Sequence, residues 1–418
     1  DVSELLEIPP DASLGDYAFP CFSLAKEFKK NPQQIAQELA QKLTADFLEK
    51  IEVKGAYLNF FVVKNLLTQE VLTSVLKEKE KYGQSFDKRK TVVIDMSSPN
   101  IAKPFGIGHL RSTIIGNALR NLLVMRGYKV IRINHLGDWG TQFGKLIVAF
   151  KLWGDQKKLK QNPIRYLLEL YVKFHANAEK KPELEDEARA WFKKLEEGNK
   201  EALALWKTFK AVSLVEFKRV YKLLGVAFEA YSGEAFYNDQ LDNTIALIEK
   251  KGITEMSDGA LIVNLERYNM PPAILRKSDG ATLYLTRDIA AALYRKKTYN
   301  FDTMLYEVGG EQKLHFQQLF KVLELLGYTW AKDCIHIEHG LYLGEDGRKM
   351  STRKGKTVFM TDILDETIAL ARKIIRENNS KLKNKDMVAQ YIGVGAIIFG
   401  DLCNDRSKDI IFDINKFT

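Results

Sequence analysis

Cysteine is scarce. The three residues, Cys21, Cys334 and Cys403, lie far apart and show no zinc-ligand spacing. That argues against a structural metal and fits a reducing cytoplasmic compartment. Long apolar runs are lacking as well. The longest, Tyr391 to Gly400, is too short to cross a bilayer, so no membrane partner is expected. The chain opens at Asp1 without a signal-peptide pattern. No acidic cluster marks a dedicated metal site. Length and positive charge are what the chain does have. Its 418 residues suffice for two or three domains with real cores, and the apolar content is ordinary. A net charge of +9 hints at a polyanionic partner without identifying one.

The richest stretch runs from Thr91 to Arg126. Thr91 to Asp95 is apolar and β-branched, which predicts a buried strand. Ser97 to Gly108 is a polar connection with prolines and glycines. Leu110, Ile114, Ala118 and Leu122 then follow helical spacing, with Ile115 and Leu119 beside them. A helix N-terminus reached through glycines suits a phosphate, and Gly106 and Gly108 let a ligand approach the backbone. Strand, loop and helix alone also occur in α/β proteins that bind nothing. Lys103 and His109 add donors for phosphate oxygens, and a second cationic loop, Gly347 to Gly355, lies far downstream. Two such loops around one nucleotide fit chemistry at the α-phosphate of ATP.

These residues carry a resemblance. Gly106-Ile107-Gly108-His109 resembles the HIGH signature of class I aminoacyl-tRNA synthetases, and Lys349-Met350-Ser351-Thr352-Arg353 resembles their KMSKS signature. Ser97 to Phe105, followed by Gly108 to Thr113, is similar to arginyl-tRNA synthetases in particular. So are Asn134-His135-Leu136-Gly137-Asp138-Trp139-Gly140 and Tyr284-Leu285-Thr286-Arg287-Asp288. The first His of the HIGH pattern is Gly106 here, which puts any role of that imidazole in doubt. The resemblance implies a Rossmann-like, doubly wound α/β catalytic domain, ATP and arginine as substrates, Mg²⁺ accompanying ATP, and tRNA(Arg) as partner. A cytoplasmic monomer is expected.

In chain order, residues 1–88 read as a small α+β domain. Asn31 and Pro32 open a helix with Ile35, Leu39 and Leu43 on one face, Ala56 to Val63 reads as a strand, and Lys64 to Lys81 as a helix. By resemblance this domain touches tRNA, with Asn59 as candidate; the same residue reads equally well as sheet core. Residues 89–360 read as the catalytic domain, with Lys129 to Asn134 as its second strand and a charged helical insertion over about 151–222. Strands are expected at Ala260 to Val263, Ala281 to Leu285, Thr303 to Val308 and Ile335 to Leu343, with a hairpin turn at Lys277 to Gly280. Gln312 to Leu326 and Thr361 to Asn378 read as helices, and Val388 to Cys403 as another helix or a packed apolar segment. Residues 361–418 form a helical connector, where the family continues into an anticodon-binding domain that these residues do not supply.

Adenylate formation needs alignment and charge stabilisation more than acid–base groups. Lys103, His109, Lys349, Ser351 and Arg353 are the candidates, with His109 as a phosphate donor rather than a base. A guanidinium is met bidentately by carboxylates. By resemblance Tyr284 and Asp288 meet it, Asp95 senses it, and Ser98, Asn100, His109 and Gln312 lie around the amino-acid head group. Gly106, Gly108, His109, Gly310, His315 and Met350 fall where the family binds ATP. For Asp288 the bland alternative is a salt bridge to Arg287 or Arg295; for His315 it is a packed helix histidine. Rival functions are a class I synthetase for another amino acid, a catalytically weak or silent synthetase-like RNA-binding protein, and a small-molecule nucleotidyltransferase. Replacing Lys349 with Ala is expected to slow adenylate formation more than it weakens ATP binding, measured by ATP–pyrophosphate exchange; an effect confined to ATP affinity would refute the assignment.

Overall fold

A computed structural model describes residues 5–84, 90–344, 346–348 and 359–413. The chain divides into two units, residues 1–84 and 85–418. The first contains β1 (Tyr17–Pro20), α1 (Ala25–Phe28), α2 (Pro32–Lys42), β2 (Leu48–Lys54), β3 (Tyr57–Val62) and α3 (Lys64–Glu78). Helix α2 starts as its residue types dictate. The Asn31 side chain accepts the Gln33 N–H, and Pro32 occupies the first turn, where a missing N–H costs nothing. The antiparallel sheet runs β1-β3-β2. Phe19, Cys21, Ile35, Ala36 and Leu58 form its core. Gly15 takes φ +109°, and a Cβ there would sit 2.8 Å from the Phe60 carbonyl oxygen, so the turn into β1 demands glycine. Asn59 is buried at 4% exposure in the central strand, opposite Ala18 and Glu52.

The second unit opens with β4 (Thr91–Asp95), α4 (Leu110–Met125) and β5 (Lys129–Ile133), the expected βαβ order. Helices follow without a strand: α5 (Thr141–Trp153), α6 (Gln156–Gln161), α7 (Pro163–Ala178), α8 (Glu183–Glu196) and α9 (Lys200–Leu224). Next come α10 (Leu241–Lys250), β6 (Thr254–Ser257), β7 (Ala260–Val263), β8 (Ala273–Arg276), α11 (Tyr284–Tyr299), β9 (Thr303–Gly309), α12 (Lys313–Leu325) and β10 (Cys334–His339). The described chain closes with β11 (Tyr342–Leu343), α13 (Met360–Asn378), α14 (Lys385–Leu402) and β12 (Ile410–Ile411). β10, β9, β4 and β5 lie side by side and all parallel. The order reverses between β4 and β9, which opens a crevice at their carboxyl ends.

Two strand expectations need correction. Ala281 to Leu285 is not a strand. Lys277 N–H donates to the Ala281 carbonyl and Gly280 N–H to Lys277, so the turn forms, but only Thr282 pairs, with Arg276. The extended Leu283 then caps α11, and helical spacing through Ile289 outweighs the β-prone residues before it. Ile335 to Leu343 is two strands rather than one. A Cβ at Gly340 would meet the Lys408 carbonyl oxygen at 2.3 Å, so the chain breaks where another backbone crosses it.

That crossing is organised by Arg111 of α4, 1% exposed. Its Nη1 donates to the carbonyls of Gly340 (3.1 Å) and Lys408 (2.7 Å), and its Nε lies 3.4 Å from Asp401 Oδ2. Asp401 also accepts the Tyr342 hydroxyl at 2.6 Å. Among the described residues no helix is long and apolar enough to cross a membrane. Helix α5 packs so tightly on α8 that a Cβ at Gly144 would fall 2.0 Å from the Ala188 carbonyl oxygen, whereas one at Gly395 in α14 meets nothing within 4 Å. Gly395→Ala should therefore raise the thermal midpoint, by about 0.5–1 kcal/mol of helix propensity. Gly144→Ala should lower it, because overpacking at about 1–3 kcal/mol exceeds the same gain. Differential scanning fluorimetry of both variants checks the opposite signs.

Candidate active site

Asp95 ends β4 and Gly309 ends β9, so both face the crevice where the sheet order reverses. Leaving β4, the chain bends through Ser97 (φ 72°), Ser98 (φ 45°) and Ala102 (φ 60°). Left-handed backbone is unfavourable for residues with a Cβ, so the surroundings must hold it. Ser97 N–H donates to Ser112 Oγ at 2.8 Å, and Ser112 Oγ donates to the Glu307 carbonyl at 2.8 Å. The Tyr221 hydroxyl lies 2.8 Å from Ser97 Oγ and accepts Asn134 Nδ2 at 2.8 Å. Ala102 N–H donates to Ser213 Oγ at 2.8 Å. Tyr221 and Ser213 belong to α9, so the helical insertion buttresses the loop that carries the first signature. Asn100 pairs with Gly137, where a Cβ would fall 2.0 Å from Asn100 Oδ1.

The loop delivers His109 to the start of α4. Its Nδ1 accepts the Gly106 N–H at 3.3 Å. Burial pushes its pKa down to about 4, and the Lys103 charge acts in the same direction. His109 is thus neutral, with its proton on Nε2. It can donate a hydrogen bond but adds no charge. Phe105 packs on it at 5.4 Å. A Cβ at Gly108 would meet nothing within 4 Å, so space is open at the backbone just before the ring. Phe359 pairs with Gly106, and Met360 N–H donates to the Phe105 carbonyl at 2.9 Å. The chain returning from the second cationic segment therefore lands on the first signature. Lys349, Met350, Ser351 and Arg353 themselves lie outside the described residues.

Asp288 stands one turn into α11. His315 Nε2 meets its Oδ2 at 2.6 Å, and His135 Nε2 lies 3.7 Å from its Oδ1. Burial pushes the Asp288 carboxyl up, but the His315 hydrogen bond and the nearby His315, His135 and Arg295 hold it below its ordinary value. Asp95 accepts Ser98 Oγ at 3.0 Å on Oδ1 and pairs with Arg295 at 2.8 Å on Oδ2. Ser98, Asp95, Arg295, His135, Asp288 and His315 thus form one connected set. His315, expected at the adenosine, touches Asp288 instead of standing apart as a packed histidine. Asp288 has histidine partners, not the Arg287 or Arg295 salt bridge that was the alternative; Arg287 bonds Asn238. Tyr284 stands at the lip, 62% exposed. Gly310 and Gln312 form the short turn between β9 and α12, with Gln312 exposed.

Sequence reasoning missed His135, Arg295 and Glu234 as site residues. Arg295 lies two turns along α11 from Asp288, a same-face spacing that could have suggested it. Glu234 accepts the Trp139 N–H at 3.2 Å. Burial raises its pKa to about 7, with Arg287 opposing and Asp288 and Asp138 assisting. Among the described residues no group of three His, Cys, Asp or Glu side chains is placed to hold a metal.

Comparison with known proteins agrees with this geometry. Residues 71–414 match the family described as tRNA synthetases class I (R), catalytic domain, and residues 1–62 match the arginyl tRNA synthetase N terminal domain. The chain is 54% identical over 414 residues to an arginine–tRNA ligase of Clostridioides difficile, covering 99% of this chain and 73% of that protein. Against the arginine–tRNA ligase of Enterococcus faecalis it is 56% identical over 416 residues, covering 99% and 74%. Among solved structures, the arginyl-tRNA synthetase of Thermus thermophilus shares the fold at TM-score 0.77 and 24% identity, covering 99% of this chain and 74% of that one. That of Plasmodium falciparum does so at TM-score 0.75 and 21% identity, covering 99% and 72%. Paired acids, a neutral imidazole at a helix start and matches running almost end to end lead to one assignment: the chain belongs to the arginyl-tRNA synthetases of class I.

Proposed function

We propose that this chain joins arginine to tRNA(Arg) with the residues above in the following roles. The arginine carboxylate attacks the α-phosphorus of ATP; a new P–O bond forms, the bond to the β-phosphate bridge breaks, and pyrophosphate leaves. A tRNA 3′-terminal hydroxyl then attacks the acyl carbon, and AMP leaves. His109 donates Nε2–H to a phosphate oxygen, and Lys103 supplies positive charge beside it. Lys349, Ser351 and Arg353 serve from the second signature, with Met350, Gly106, Gly108, Gly310 and His315 on the nucleotide. Mg²⁺ comes with the triphosphate. Asp288 and Tyr284 take the guanidinium, backed by Asp95 and Ser98, while Asn100 and Gln312 hold the head group.

The observation that carries this reading is the Asp288 carboxylate, held ionised and oriented by the His315 and His135 imidazoles beside the Asp95–Arg295 pair. Residues 1–88 are the tRNA-contacting domain, with Asn59 acting from within its sheet. Residues 89–360 are the catalytic domain, and 361–418 are its helical connector. A cytoplasmic monomer is the form we assign; the unpaired cysteines fit it.

Asp288→Asn should raise the KM for arginine about 10- to 100-fold in ATP–pyrophosphate exchange with tRNA present, the worth of a charge-assisted bond. The KM for ATP should stay near wild type; a matching loss for both substrates would refute the placement. Lysine and glutamate should not support exchange. His109 is neutral down to a pKa of about 4. His109→Asn should therefore lower the exchange rate without reshaping its pH profile above about pH 5.5, where the wild-type ring has no charge to lose.

A further inference from the structure

Arg295 is a cation buried beside a site built for a cation. It lies on the same face of α11 as Asp288 and is 1% exposed. Left in contact, it would take the carboxylate that the substrate needs. His135 stands between them. Its Nδ1 is 3.1 Å from Arg295 Nη2, and its Nε2 is 3.7 Å from Asp288 Oδ1. A guanidinium has donors only, so Nδ1 must offer its lone pair and the proton must sit on Nε2, facing Asp288. The ring is held by stacking on Tyr237, with centroids 5.7 Å apart and planes 27° apart. Arg295 is satisfied on its other side by Asp95 at 2.8 Å.

We propose that His135 is a positioning residue for arginine, a neutral spacer that keeps the protein's own guanidinium off Asp288 and leaves that carboxylate to the substrate's. The proposal rests on Asp288 being the arginine acid. Charging the ring would set an Nδ1–H against the Arg295 N–H and add positive charge at the pocket. Burial opposes this, together with Arg295, while Asp95, Asp288 and Asp138 favour it; the net effect lowers the His135 pKa. The groups around it are Asp95 on β4, Arg295 and Asp288 on α11, Asp138 and Tyr237, with His315 of α12 on the far side of Asp288. Arginine affinity should therefore fall as pH drops through this lowered value.

The test is arginine binding by calorimetry across pH, with exchange assays alongside, on wild type, His135→Ala, His135→Gln and Asp288→Asn. H135A should weaken arginine about tenfold or more while sparing the KM for ATP, since Arg295 then competes for the carboxylate. H135Q offers an oxygen to Arg295 and an amide N–H to Asp288 but does not titrate. It should restore most of the affinity and abolish the acid-side fall. Wild-type affinity in H135A, or an acid limb unchanged in H135Q, overturns the proposal if D288N is weakened. Undiminished affinity in D288N overturns the assignment of Asp288 itself. Should H135A fail to fold by circular dichroism, the H135Q profile decides alone.

Discussion

The crevice depends on one buried ion pair, Asp95 with Arg295 at 2.8 Å. It joins the first strand of the parallel sheet to a helix from the other half of the fold. Such a pair adds little over an apolar contact, but removing one partner strands a charge at a cost of about 3–5 kcal/mol. Its more specific effect is on charge matching. Asp95 and Arg295 offset one another, which leaves Asp288 as the carboxylate facing outward. A planar guanidinium can engage Asp288 in a fork, whereas an ammonium meets it as a point. With the substrate's guanidinium placed at Asp288 as proposed, selection against lysine rests on geometry, since both side chains carry the same charge.

The strain in the loop after β4 is the second organising feature. Ser97, Ser98 and Ala102 all take left-handed backbone without being glycine. Ser97 is held by the Ser112 hydroxyl on α4 and the Tyr221 hydroxyl on α9, Ala102 by the Ser213 hydroxyl on α9, and Ser98 by its own bond to Asp95. The helical insertion is therefore part of the active-site scaffold, whatever its outer surface does. Burial pushes the Tyr221 hydroxyl far above its ordinary value, so it stays protonated and able to serve both Ser97 and Asn134.

Local pattern made much of this legible. Thr91 to Asp95 is a strand buried along most of its length, and its β-branched run says so; Leu110, Ile114 and Ala118 repeat at helical spacing, and a helix is there. Ala281 to Leu285 misled because β-propensity measures fit to a pleated surface, and no neighbouring strand was offered past Thr282. The site was legible where a residue sits in a recognisable string, such as His109 or Asp288. His135 and Arg295 were missed because their chemistry comes from a contact between distant parts of the chain. A lone histidine after a strand and an arginine late in a helix carry no local mark of that meeting.

Arg111 gives the far end of the described chain an unexpected importance. Its guanidinium is fastened to backbone at Gly340 and Lys408 and to the Asp401 carboxylate, directly behind the helix that His109 starts. Asp401 and Lys408 are therefore tied to α4 through Arg111 rather than trailing from the fold. Trimming the protein ahead of Asp401 would strip a sequestered cation of its carboxylate and leave it the Gly340 carbonyl alone, so a piece that keeps this part of the fold intact has to reach past Lys408.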